Sequence, residues 1–153
     1  MGISSCPMIE ASFPRGLWPP NLCSLVIEGL KKPISEWGNQ NFPASLVDLM
    51  LCNEPNVSNF SQLSHLFPSS LTSLGIKSFN KLESLSTGLQ HLTSLQHLSI
   101  SICPEVNDLP ETLLPSLLSL RIKYNCPKLK ERCEGRDSHY WPQISHIPCI
   151  DII

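Results

Sequence analysis

Apolar residues recur along the chain as a triplet with offsets of three and two. The copies are Leu22-Leu25-Ile27, Leu46-Leu49-Leu51, Leu71-Leu74-Ile76, Leu95-Leu98-Ile100 and Leu117-Leu120-Ile122, and the spacing between their starts is nearly constant. Alternating residues of a strand point to opposite faces, so Leu98 and Ile100 are expected to point one way and Ser99 and Ser101 the other. A truncated copy precedes them, because Ile3 and Cys6-Pro7 repeat the offsets of Ile100 and Cys103-Pro104. The pattern therefore predicts an array that the chain enters in mid-repeat, as a fragment, a mispredicted start or a solenoid lacking its N-terminal cap would.

One unit cannot bury its apolar face alone, whereas stacked units can. The strands predict a short parallel sheet along one side of a solenoid. Val106 and Leu109, and Leu82 and Leu85 one unit earlier, are expected to roof the same core. Pro43, Pro68, Pro110 and Pro115 fall in the returning segments, and Pro33, Pro55, Pro104 and Pro127 soon after the strands. Proline disfavours helix interiors, so the outer side is expected to consist of loops and single turns. Thr87 to Leu92 is the one stretch read as a short helix, and Gly38, Asn39 and Asn41 mark a looser loop.

The pattern sets the units, and composition narrows the class. Of 153 residues, 24 are Leu and 22 Ser, while charged residues are 16% and the net charge is −2. That balance argues against a nucleic-acid arm or polybasic anchor, and no apolar run reaches the ~18 residues of a membrane span. The first residues, Met1-Gly2-Ile3-Ser4-Ser5-Cys6, lack the features of a secretory leader, and Cys6 replaces the Ser or Thr of a myristoylation signal. A reducing, cytoplasmic setting follows as an expectation, with the 7 Cys free rather than paired. In that setting the sequons at Asn56 and Asn59 go unused.

The triplets, followed by Cys or Asn and a further apolar position, resemble leucine-rich repeats over residues 3 to about 130. The LxGxIP segment of secreted plant repeats is missing. Instead, I-S-I-C-P-E-V-N-D-L-P at 100–110 and I-K-Y-N-C-P-K-L at 122–129 resemble the irregular repeats of plant intracellular nucleotide-binding immune receptors. The ending W-P-Q-I-S-H-I-P-C-I-D-I-I at 141–153 resembles the C-terminus of their coiled-coil class. The resemblance is loose at Leu30 to Trp37 and at Glu54-Pro55, and no GxxxxGK[ST] phosphate loop is present.

What the resemblance implies is an α/β solenoid of leucine-rich repeats, with a parallel sheet on its concave face and a mostly loop or single-turn convex side. Repeats would occupy residues 1–133 and a capping tail 134–153, with Tyr140, Trp141, Ile144 and Ile147 covering the open end. The implied function is non-enzymatic protein binding in plant disease resistance, directed at pathogen effectors, host partners or other receptor domains. No cofactor, nucleic acid or membrane span enters that reading. One alternative is the substrate-recruiting module of a ubiquitin-ligase adaptor.

A second alternative is a Cys/His zinc protein or enzyme. Cys126, Cys133, His139 and His146 are spaced C-x6-C-x5-H-x6-H, wider than structural zinc ligands usually are. Cys6, Cys103 and Cys126 fit better as a ladder of small buried groups after the strands, with Cys23 and Cys52 exposed on the strand face. Binding is expected on that face. Lys77, His97, Arg121, Lys123 and Tyr124 are the candidate partner-binding residues, since Arg and Tyr are enriched at binding hot spots. Lys128 and Lys130 lie near them in the sequence. Glu28 and Asp48 make the opposite end acidic.

Overall fold

The computed structural model describes residues 2–4, 21–28 and 42–153. Among the described residues seven parallel strands form one sheet in chain order. They are β1 (Gly2–Ser4), β2 (Ser24–Glu28), β3 (Asp48–Cys52), β4 (Ser73–Lys77), β5 (His97–Ser101), β6 (Ser119–Lys123) and β7 (Cys149–Ile152). The chain is a solenoid of leucine-rich units, as the triplets predict. The expectations for Cys6-Pro7, Leu30 to Trp37, Pro33, Gly38, Asn39 and Asn41 lie outside the described residues.

Register carries the sequence alignment directly into space. Leu25, Leu49, Leu74, Leu98 and Leu120 are successive neighbours across the sheet, and so are Ile27, Leu51, Ile76, Ile100 and Ile122. Ile3 pairs with Ile27 as the truncated first copy requires. All members of the five triplets are buried. Each such side chain contributes about 1.5–3 kcal/mol of apolar burial before entropy is subtracted.

The backbone closes each unit in the same way. Val47, Thr72, Gln96 and Leu118 donate their N–H groups to Cys23, Val47, Thr72 and Gln96 one unit earlier, extending the ladder ahead of the strands. Two residues beyond the last inward strand position, Asn53, Ser78, Ile102 and Tyr124 adopt φ of 61, 60, 54 and 51°. This left-handed residue turns the chain off the sheet, and the N–H groups of Asn53 and Ser78 bond Lys77 O and Ser101 O of the next unit. The serines preceding three of the triplets have a related task. The hydroxyls of Ser45, Ser70 and Ser116 donate to the Leu22, Leu46 and Leu95 carbonyls at 2.7, 2.8 and 3.2 Å. Part of the serine bias is thus a ladder that satisfies backbone acceptors between units.

Among the described residues the returning side consists of turns and 3-10 segments at Phe60–Gln62, Ser64–Leu66 and Leu114–Ser116. Val106, Leu109, Leu82 and Leu85 are fully buried beneath it. Thr87 to Leu92 forms no helix, contrary to expectation. Gly88 has φ +94°, and a Cβ there would lie 2.7 Å from the Ser61 backbone nitrogen. Thr87 Oγ1 meanwhile donates to Asn59 Oδ1 at 2.7 Å. The neighbouring unit therefore holds this stretch in a non-helical path.

Among the described residues the α-helices lie at the other end, at α1 (Pro127–Cys133) and α2 (Trp141–Ile144), each with proline in its first turn, a position where the missing N–H costs nothing. Tyr140, Ile144 and Ile147 are buried, and Trp141 packs on the core. Tyr140 Oη accepts a 3.1 Å bond from the buried Leu109 N–H, and the Arg132 guanidinium lies 5.0 Å from its ring centre. The tail also supplies β7, which the sequence reading did not assign. Ile147, Ile150 and Ile152 repeat the triplet offsets, after a longer interval than any that separates the earlier copies. Ile150 and Ile152 pair with Leu120 and Ile122.

Candidate functional site on the outward face of the sheet

Alternation sends every second strand residue outward, and the shared register stacks those residues into rows. One row runs Ser24, Asp48, Ser73, His97, Ser119 and Cys149. The next runs Val26, Met50, Gly75, Ser99, Arg121 and Asp151, and the last runs Glu28, Cys52, Lys77, Ser101 and Lys123. Because the strand backbones are engaged in the ladder, only these side chains are offered to a ligand.

A groove of about 300 Å³ crosses the first two rows, with Asp48 and Met50 at one end, Arg121 at the other and His97 between. Its floor is low because Ser73, Ser99 and Ser119 are small and position 75 is glycine. A Cβ on Gly75 would sit 2.6 Å from Met50 Sδ, so the Met50 thioether lies over this strand. Any larger residue at 75 would push it out.

The five candidate residues divide into groups. His97 and Arg121 are exposed and line the groove. Lys77 and Lys123 flank Ser101 in the last row, outside it. Lys123 is tied to Asp151 of β7 at 2.7 Å. Arg121 has the same aspartate as its strand neighbour, yet among the described residues no carboxylate lies within 4 Å of its guanidinium. Tyr124 follows β6 in the left-handed turn and is 61% exposed. Of the nearby lysines, Lys128 pairs with Glu105 at 2.5 Å and Lys130 with Glu134 at 3.7 Å. The basic end is thus largely neutralised, and Arg121 is the cation that lines the groove. Sequence reasoning missed Asp151; the triplet at 147–152 was its signal.

The cysteines are placed mostly as residue chemistry suggests. Cys103 and Cys126 are buried, with Cys103 N–H donating to Cys126 Sγ at 3.4 Å and Cys103 Sγ to the Ser101 carbonyl at 3.2 Å. Hydrogen bonding with Cys103 holds Cys126 below the ordinary thiol range, and the interaction with Cys126 together with burial holds Cys103 above it. Cys23 is exposed. Cys52, expected to be exposed, is buried between its row neighbours Glu28 and Lys77. Burial and then the Glu28 charge push its thiol up.

In the wide Cys/His set, Cys126 and Cys133 are buried while His139 and His146 are not. His139 faces Glu111 at 3.8 Å, and burial pushes the Cys133 thiol up to about 12. Among the described residues no group of three or more His, Cys, Asp or Glu is placed to hold a metal ion. His91, in the returning segment, contacts the Phe67 carbonyl at 3.0 Å. Asn59 caps its 3-10 turn through Ser61 N–H at 2.8 Å. Among the described residues no helix is long and apolar enough to cross a membrane. No family model, curated protein or solved structure matches this chain.

Proposed function

We propose that this chain is a non-enzymatic, protein-binding segment of a plant disease resistance receptor, acting in the cytoplasm on pathogen effectors or host partner proteins. One observation carries the binding reading. The outward face presents His97 and Arg121 along a groove and Tyr124 exposed beyond β6, while the inward face and the backbone ladder carry stability. Side chains with no structural task, arranged on a rigid sheet, are what a recognition surface requires. The receptor reading is supported by the resemblance of the units at 100–110 and 122–129 and of the ending at 141–153.

The test is co-immunoprecipitation of the tagged chain from leaf cells. Its partners are a panel of secreted effectors and the nucleotide-binding region of coiled-coil-class receptors. At least one partner is expected, with binding falling at least tenfold, about 1.4 kcal/mol, in the double variant Arg121→Ala, Tyr124→Ala. No partner, or equal retention by the double variant, would overturn the reading.

A further inference from the structure

We infer that the groove across β3 to β6 recognises an extended polypeptide segment carrying one basic and one acidic side chain four or five residues apart. This rests on the protein-binding part of the reading above and not on the immune role.

Charge sets the ends of the groove. Asp48 is exposed, and its carboxylate accepts a bond from Ser24 Oγ at 3.1 Å. At the other end, among the described residues, Arg121 keeps its guanidinium clear of carboxylates, Asp151 being paired with Lys123 at 2.7 Å. Both charges line the same groove, with His97 and the Ser73, Gly75 and Ser99 floor between them. A ligand of one sign would meet repulsion at one end, whereas a dipolar one is matched at both.

Distance sets the spacing. Asp48 and Arg121 are three strands apart and offset by two residues along the strand. With about 4.8 Å between strands and about 3.3 Å per residue, their backbones are about 16 Å apart along the diagonal, the span of four to five extended residues. Between them the floor is built of Ser73, Gly75 and Ser99, with Met50 and His97 the larger side chains, and the flexible Met50 thioether can follow the ligand's contour.

Panning a phage-displayed random dodecapeptide library on the immobilised full chain tests this. The wild type is expected to enrich peptides with Lys or Arg four or five residues from Asp or Glu at least tenfold over other spacings. Asp48→Lys is expected to convert the selected motif to two acids at that spacing, and Arg121→Glu to two bases. Both sites are exposed, and circular dichroism checks the fold. Asp48→Asn and Arg121→Gln, as milder variants, are each expected to weaken a selected peptide at least fivefold. No enriched motif, a purely acidic motif, or a motif unmoved by both charge reversals would overturn the inference. A chain that selects the dipolar motif yet binds no effector would overturn the receptor reading alone. The converse result would overturn this inference alone.

Discussion

The units from Phe42 to Leu95 and those from Leu95 to Cys133 lay down strands in one register but roof them with different chemistry. In the first, Phe42 stacks on Phe67 at 6.3 Å, Phe67 meets Phe60 at 5.8 Å, and Phe60 stacks on Phe79 at 5.9 Å. In the second, the position that Phe79 holds is occupied by Cys103, hydrogen-bonded to Cys126, and Cys133 and Tyr140 are buried in the same region. A run of rings fills volume by dispersion and burial. Thiols fill less, and there a helix and a tyrosine hydroxyl complete the cover. The sheet tolerates both because its register depends on the inward leucines and the backbone ladder, not on the roof.

The largest expected effect removes what the two regions share. Leu98→Asp would bury an unpaired charge in the middle of the sheet and should cost about 5 kcal/mol or more. A urea melt then reads an unfolded chain, and an unchanged melt would refute the register. Phe79→Ala targets the ring roof and should cost about 3–5 kcal/mol. Hydrogen exchange should rise first around Phe60 and Phe67 rather than near Tyr140.

The corresponding probe of the thiol roof is smaller. Tyr140→Phe leaves the buried Leu109 N–H without its 3.1 Å acceptor and should cost about 1–3 kcal/mol, read by chemical denaturation. Alkaline pH separates the regions with no substitution. Cys133 titrates at about 12 in the fold against 9.0 for a free thiol, so the folded state prefers the protonated form. Its contribution is complete below pH 9.0 and is lost as pH rises through that interval. Denaturation midpoints should therefore fall between pH 9 and 12, less steeply in Cys133→Ala. Local exchange should loosen around α1 before the phenylalanine stack.

Legibility differs between these parts for physical reasons. The strands could be read because burial on alternate sides leaves a period of two, repeated at near-constant spacing. Val106 and Leu109 could be read as roof because they recur at matching places in successive units. Thr87 to Leu92 was misread because local propensity takes no account of Ser61, whose backbone excludes any Cβ at Gly88. Strand β7 was missed because α1 and α2 lengthen its unit beyond all the others and hide a triplet identical in form to theirs. On the candidate face, the outward direction of His97, Arg121 and Lys123 followed from alternation. That Lys123 pairs while Arg121 stays clear did not, because it depends on Asp151 of that missed strand.

The sequence by itself determined the unit, its register and the face each strand residue takes, because those depend on the spacing of apolar residues within a few positions of one another. Only the tertiary structure decided which charges remain available, where the groove opens and how each roof is filled. Those outcomes depend on contacts between side chains a whole repeat or more apart in the chain, as Lys123 and Asp151 are, and such separations carry no local period to read.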